Sequence, residues 1–183
     1  LYTTRYPHTI RALIIHGTGG KNPAVPFGKL IAKAVRGIHG PCYRSKMIDR
    51  LAFSGYNAHF DKKEGPNAWL TRDASKISDR DTNPYTNFIF TVSGFLDLFG
   101  MCADCNKPAW FAAFPKELPV LIVSGDEDPV GAYGKGPTYV YKHLMLDGVQ
   151  DVTLKLYPGA RHELFNETNC EEVFADIMEG TLE

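Results

Sequence analysis

The chain has 183 residues, 44% of them hydrophobic and 22% charged, with a formal net charge of −1. That is the profile of one globular domain with room for an insertion, and it gives no electrostatic reason to expect nucleic acid or an anionic membrane as partner. No apolar run approaches the ~20 residues of a transmembrane segment, and the opening LYTTRYPHTI has no apolar signal core.

The first residue is Leu1 rather than Met, which suggests a processed or truncated polypeptide. Residues 10–15 (IRALII) are nearly continuous apolar, the pattern of a strand buried on both faces. They run into His16 and the glycines of HGTGG. A phosphate cradle, an oxyanion loop and a plain strand end all begin this way. A nucleotide site fails on spacing. Walker A needs Gly five positions before Gly20, where Ile15 stands, and Asn22 occupies the last glycine position of a Rossmann fingerprint.

From Lys21 to about Pro115 no convincing pair of strands is visible. Phe27, Leu30, Ile31, Ala34, Val35 and Ile38 fall on one helical stripe, with Pro26 in the first turn and Gly40-Pro41 as the stop. Further helices are expected over residues 45–53, 68–75 and 88–99. This stretch is rich in aromatics, which read either as the core of a small helical layer or, for some of them, as the lining of an apolar pocket facing a sheet. Residues 21–115 are thus expected to be a helical insertion, with residues 1–20 and 116–183 forming the sheet-containing core.

Cys102 and Cys105 have Cys-x-x-Cys spacing, but no second pair and no His pair accompanies them, as a zinc site would need. The four cysteines read as free thiols of a cytoplasmic protein. Residues 119–124 (PVLIVS) form a second fully apolar strand. A helix follows over about 138–146, closed by Asp147-Gly148. Residues 152–157 (VTLKLY) alternate, as in a strand near a sheet edge. Thr168-x-x-Glu171 matches a capping box, ahead of a last helix with Val173, Phe174, Ile177 and Met178 on one face. Strand, helix, strand, helix in this rhythm predicts parallel βαβ units, an α/β fold of three parallel strands with flanking helices.

Two loops each follow a strand directly: SGDEDPVG, residues 124–131, and YPGARHE, residues 157–163. In a parallel sheet the carboxyl ends of neighbouring strands lie on one side, about 4.8 Å apart, at the edge where open α/β sheets place their sites. A carboxylate from the first loop can there meet the histidine of the second. Such a pair fixes the imidazole tautomer and leaves the other ring nitrogen free to accept a proton from a nucleophile. The plainer alternative is an acidic surface loop beside an exposed histidine, since Gly, Pro and Asp are ordinary turn residues.

LPVLIVSGDEDPVG and VTLKLYPGARHELFNE resemble the acid and histidine segments of α/β-hydrolases, in the branch of monoacylglycerol lipases, lysophospholipases and serine aminopeptidases. WLTRDASKISD and FIFTVSGFLDLF resemble the helical cap of that branch. The resemblance implies that the acid is the third residue after Gly125, Asp128 rather than Asp126, and that the base is His162. It implies a partial α/β-hydrolase fold, the last three strands plus the cap, and a serine hydrolase of small acyl-ester or lipid-like substrates. No cofactor or metal is implied.

One departure is large. The nucleophile of this fold stands in Gly-x-Ser-x-Gly ahead of the acid and the histidine. None of Ser45, Ser54, Ser75, Ser78, Ser93 and Ser124 has that context. The expectation is that the first half of the fold, with nucleophile and oxyanion donors, is missing from this chain, which alone would be inactive. An apolar edge on the first strand would then be exposed and prone to association. The alternative is a non-catalytic binding or scaffold relative with no nucleophile. With the first half missing, RALIIHGTGG reads as the strand after the nucleophile's helix, its glycines leading the chain out of the sheet into the cap. His8, His39, His59 and His143 lack ligand spacing and read as surface or packing residues. His16 stands at the edge of the sheet where a pocket would lie, and no role for it follows from sequence.

Overall fold

The computed structural model describes the backbone of residues 1–182 and the side chains through residue 179. The three apolar runs form one parallel sheet in the order β1 (Leu13–His16), β2 (Val120–Gly125), β3 (Val152–Tyr157). Val120 lies opposite both Leu13 and Val152, and Gly125 lies opposite Tyr157.

β2 is central, and its side chains alternate between two faces. Val120 and Ile122 join Phe111, Phe114, Leu118, Val140 and Leu144 on one face. Val123 joins Tyr157, Ala160, Leu164 and Val173 on the other. Each fully buried large apolar side chain contributes about 1.5–3 kcal/mol of transfer free energy, so these two layers hold the sheet together. α7 (Lys135–Leu146) covers the first face and α8 (Cys170–Leu182) the second. Tyr157 belongs to the face that alternation makes polar, yet it is fully buried, and its hydroxyl donates to Asp176 at 2.7 Å.

A short helix, α1 (Tyr2–Arg5), precedes β1. Between β1 and β2 lie α2 (Val25–His39), α3 (Lys46–Phe53), α4 (Ala74–Thr82), α5 (Val92–Asp104) and α6 (Pro108–Ala112). α2, α3 and α5 meet at Ala32, Ile48, Val92 and Phe95. Gly28 permits the closest approach: a Cβ there would sit 3.0 Å from the Phe99 ring.

Several boundaries differ from the sequence expectation. β1 begins at Leu13 rather than residue 10: Ile10 follows a 3-10 turn at Pro7–Thr9, lies outside the ladder and packs half-buried against the core. The free edge is therefore short, with Ile14 exposed and Leu13 and Ile15 half-buried. The α2 stripe is rotated. Ile31, Ala32 and Val35 face the core, whereas Phe27, Leu30 and Ile38 are 67–77% exposed. The helix expected over 68–75 is a single 3-10 turn, Ala68–Leu70, followed by extended Thr71. α4 then starts because the Asp73 carboxylate accepts from the Ser75 and Lys76 amides. α5 starts four residues later than expected, where the Thr91 hydroxyl accepts from Gly94 N–H. The last helix begins one residue late for the Thr168–Glu171 box, and the Asn169 amide donates to Glu172 at 2.9 Å instead. No helix among the described residues is long and apolar enough to cross a membrane.

Candidate active site

Gly125 ends β2 where the two post-strand loops touch. A Cβ on it would lie 1.9 Å from the Ala160 carbonyl oxygen and 2.5 Å from that of Arg161, so only glycine fits. The loops are stitched there by Glu127 N–H donating to Ala160 C=O at 3.0 Å and Asp126 N–H to Tyr157 C=O at 3.2 Å. The Asp126 carboxylate accepts from Gly159 N–H at 2.6 Å, so it closes the turn after β3. Asp128 points inward instead. Its Oδ1 accepts from Val130 N–H at 2.8 Å, and its Oδ2 lies 3.0 Å from His162 Nδ1. The carboxylate is fully buried and the imidazole one-quarter exposed. A buried charge needs such partners, because desolvation alone would neutralise it.

With Nδ1–H donating to Asp128, Nε2 of His162 carries a lone pair. No side chain among the described residues bonds Nε2. The ring borders a cleft of about 540 Å³ together with Phe53, Asn57, Trp69 and Arg80. The ring itself is clamped. Gly17, at φ +58°, lies beneath it, where a Cβ would come within 3.0 Å of Cε1. The Trp69 ring lies 5.3 Å away on another side. Backbone bonds fix the loop: Glu163 N–H donates to Leu70 C=O at 2.7 Å, and Leu164 N–H to His16 Nε2 at 3.1 Å. Burial pushes the His16 pKa below its ordinary value and the nearby His162 adds to this, while Asp128 and Glu163 pull the other way.

A buried charged clasp, which no sequence pattern announces, joins the segment before α4 to the histidine loop. Glu167, 2% exposed, accepts from Arg161 N–H at 2.8 Å, from the Arg72 guanidinium at 2.8 Å and from Arg72 N–H at 3.2 Å. The Arg161 side chain donates to Glu64 and to Ala68 C=O, both at 2.7 Å, and lies 4.1 Å over the Phe60 ring. Arg161 immediately precedes His162, so the clasp acts directly on the imidazole's backbone.

Beside this site lies an apolar cavity of about 280 Å³ walled by Ile31, Leu51, Phe53, Tyr56 and Phe99, reaching the acid loop at Val130. Burial raises the Tyr56 phenol and the Cys102 thiol above their ordinary pKa values. All four cysteines are free. The glycines of HGTGG serve packing: a Cβ on Gly20 would fall 2.9 Å from the Gly136 backbone of α7. Ser124 is fully buried, and its hydroxyl donates to the Gly125 carbonyl at 3.4 Å, not to His162.

The structure thus brings Asp128 and His162 together, and adds Gly17, Trp69, His16 and the Arg161–Glu167 clasp around them. The model of the family "serine aminopeptidase, S33" matches residues 1–169. A thermostable carboxyl esterase from Bacillus coagulans, solved with glycerol, superposes with a TM-score of 0.86 at 24% identity, over 98% of this chain and 57% of its own. A lipase in an open form gives 0.85 at 25%, over 97% and 58%. A soluble variant of the monoglyceride lipase of Saccharomyces cerevisiae, solved with a substrate analogue, gives 0.66 at 21%, over 98% and 58%. The chain therefore spans a little under three-fifths of the length of these relatives. No curated protein matches it in sequence. Three parallel strands, their flanking helices and the family match over nearly the whole chain make it a member of the serine aminopeptidase S33 family, with a partial α/β-hydrolase fold.

Proposed function

We propose that this chain supplies the acid and the base of a serine ester hydrolase, with Asp128 as acid and His162 as base. The observation that carries the reading is the 3.0 Å contact between a fully buried Asp128 and a His162 whose other ring nitrogen faces an open cleft. In that reaction a serine hydroxyl attacks the acyl carbonyl. His162 Nε2 takes its proton and delivers it to the departing alkoxide, and the same nitrogen then activates water against the acyl-enzyme. Asp128 stays ionised, holds the tautomer and stabilises the imidazolium. The helices between β1 and β2, residues 21–115, act as the cap. The apolar cavity they line suits the acyl chain of a lipid-like ester, and the more polar cleft beside His162 suits the alcohol.

The nucleophile and oxyanion donors lie, on this reading, on polypeptide outside residues 1–183. What supports this is the absence of any Gly-x-Ser-x-Gly in the sequence and the fraction of the esterase that the chain spans. Four free thiols agree with a cytoplasmic setting. The test is a fluorophosphonate probe on the full-length protein, wild type and His162→Gln. Labelling of a serine that the variant loses is expected. A folded full-length protein that takes no label overturns the hydrolase in favour of a binding protein.

A further inference from the structure

His16 is the last residue of β1 and stands next to the acid–base pair without being part of it. Its Nε2 lies 3.1 Å from Leu164 N, which has only a proton to offer, so Nε2 is the acceptor and the ring is neutral with its proton on Nδ1. Leu164 is fully buried, and among the described residues its N–H has no other acceptor. The His16 ring also stacks on Phe165 at 4.9 Å, and Phe165 stacks in turn on Phe174 of α8 at 5.3 Å. The next residue, Gly17, packs under the His162 ring. The end of β1 therefore grips the histidine loop at its backbone, at an aromatic side chain and at the imidazole itself. The ionisable groups facing His16 are His162, Asp128 and Glu163.

We propose that His16 is a positioning residue for His162: by accepting the Leu164 N–H it fixes the turn that aims the imidazole at Asp128. This rests on the role of His162 proposed above. The neutral ring has two effects. It keeps a lone pair on Nε2, where a second proton would set a donor against the Leu164 N–H. It also keeps a second positive charge away from an imidazolium whose ring centre is 6.3 Å off.

Two variants of the full-length protein separate this from plain packing. His16→Phe keeps a stacking ring and removes the acceptor. His16→Gln loses the ring and places an amide oxygen near the position of Nε2. The readouts are hydrogen exchange of the Leu164 amide and the low-field NMR resonance of the His162 Nδ1 proton. In His16→Phe, Leu164 exchange is expected to rise about tenfold, the size of one lost hydrogen bond, and the low-field proton to broaden. His16→Gln restores both. A His16→Phe protein with unchanged exchange and resonance, or a His16→Gln protein that behaves like it, overturns the proposal. If His16→Phe does not fold, the wild type decides by ¹⁵N NMR. An unprotonated Nε2 coupled to the Leu164 amide supports the assignment, and a protonated Nε2 overturns it. None of these readouts needs turnover, so a full-length protein that resists the fluorophosphonate leaves them standing.

Discussion

Replacing Gly125 by alanine tests whether the meeting of the two loops depends on a missing side chain. The new Cβ would lie 1.9 Å from the Ala160 oxygen, 2.3 Å from its carbonyl carbon and 2.5 Å from the Arg161 oxygen. All three are backbone atoms, so no rotamer change relieves the contact, and the Ala160 carbonyl must retreat by about an ångström. The Glu127 N–H bond to that carbonyl, 3.0 Å in the native loop, is then lost. Overpacking of a tight site costs about 1–3 kcal/mol, occasionally more, and a lost backbone bond adds about 1. A total of about 2–4 kcal/mol corresponds to a fall in Tm of roughly 10 °C for a chain of this size. Because Arg161 moves with Ala160, His162 is carried away from Asp128. The assays are thermal unfolding by circular dichroism and the low-field His162 proton. A variant that melts within about 2 °C of wild type and keeps that proton would refute the reasoning.

Other outcomes follow from the same geometry. Glu167→Ala leaves the Arg161 N–H and the one-third-exposed Arg72 guanidinium without their buried acceptor, and should cost about 1–3 kcal/mol in denaturant unfolding, with Glu167→Gln milder because it keeps an acceptor. On the proposed function, Asp128→Asn in the full-length protein should lower kcat for ester hydrolysis by about 10⁴-fold with little change in KM, since it upsets the tautomer and leaves binding alone. His16 titrates lower in the fold than its ordinary 6.5, so the unfolded chain binds more protons between the two values. Its contribution is whole above the ordinary value and is lost as the pH falls through the folded one. Urea midpoints measured across that window should decline with acid in wild type and decline less in His16→Phe. An equal decline in both contradicts the assignment of the shift to His16.

The sheet was legible because buried parallel strands leave near-continuous apolar runs, as at residues 120–123. The approach of Asp128 and His162 was legible because one helix separates their strands, which makes the loops neighbours. Choosing Asp128 over Asp126 needed the family resemblance, since both follow the same strand and composition does not distinguish them. The structure gives the two carboxylates different partners: Asp126 closes a turn, and Asp128 faces the imidazole. The helical stretch was harder. Its apolar residues also serve a cavity and an outer surface, so Phe27 and Leu30 match the α2 stripe yet lie outside the core. The Arg161–Glu167 clasp had no signal at all. Its members are spread from Glu64 to Glu167, and a buried charge looks like an exposed one in a sequence.

The placement of the helical block between β1 and β2 also orders events in time. β1 pairs with β2 across more than half the chain, whereas β2, α7 and β3 are contiguous. Closing the long loop costs only about 0.6 kcal/mol more per doubling of its length, and the packing of α2 on α5 shortens the span to be closed. During synthesis the chain emerges N-terminus first. The block that lines the cavities is therefore complete while the histidine is still untranslated, and the acid waits on a strand that lacks one neighbour. The Asp128–His162 pair can form only after the helical block has been translated, and the histidine loop brings with it the partners, Arg161 and Glu167, that hold the segment before α4.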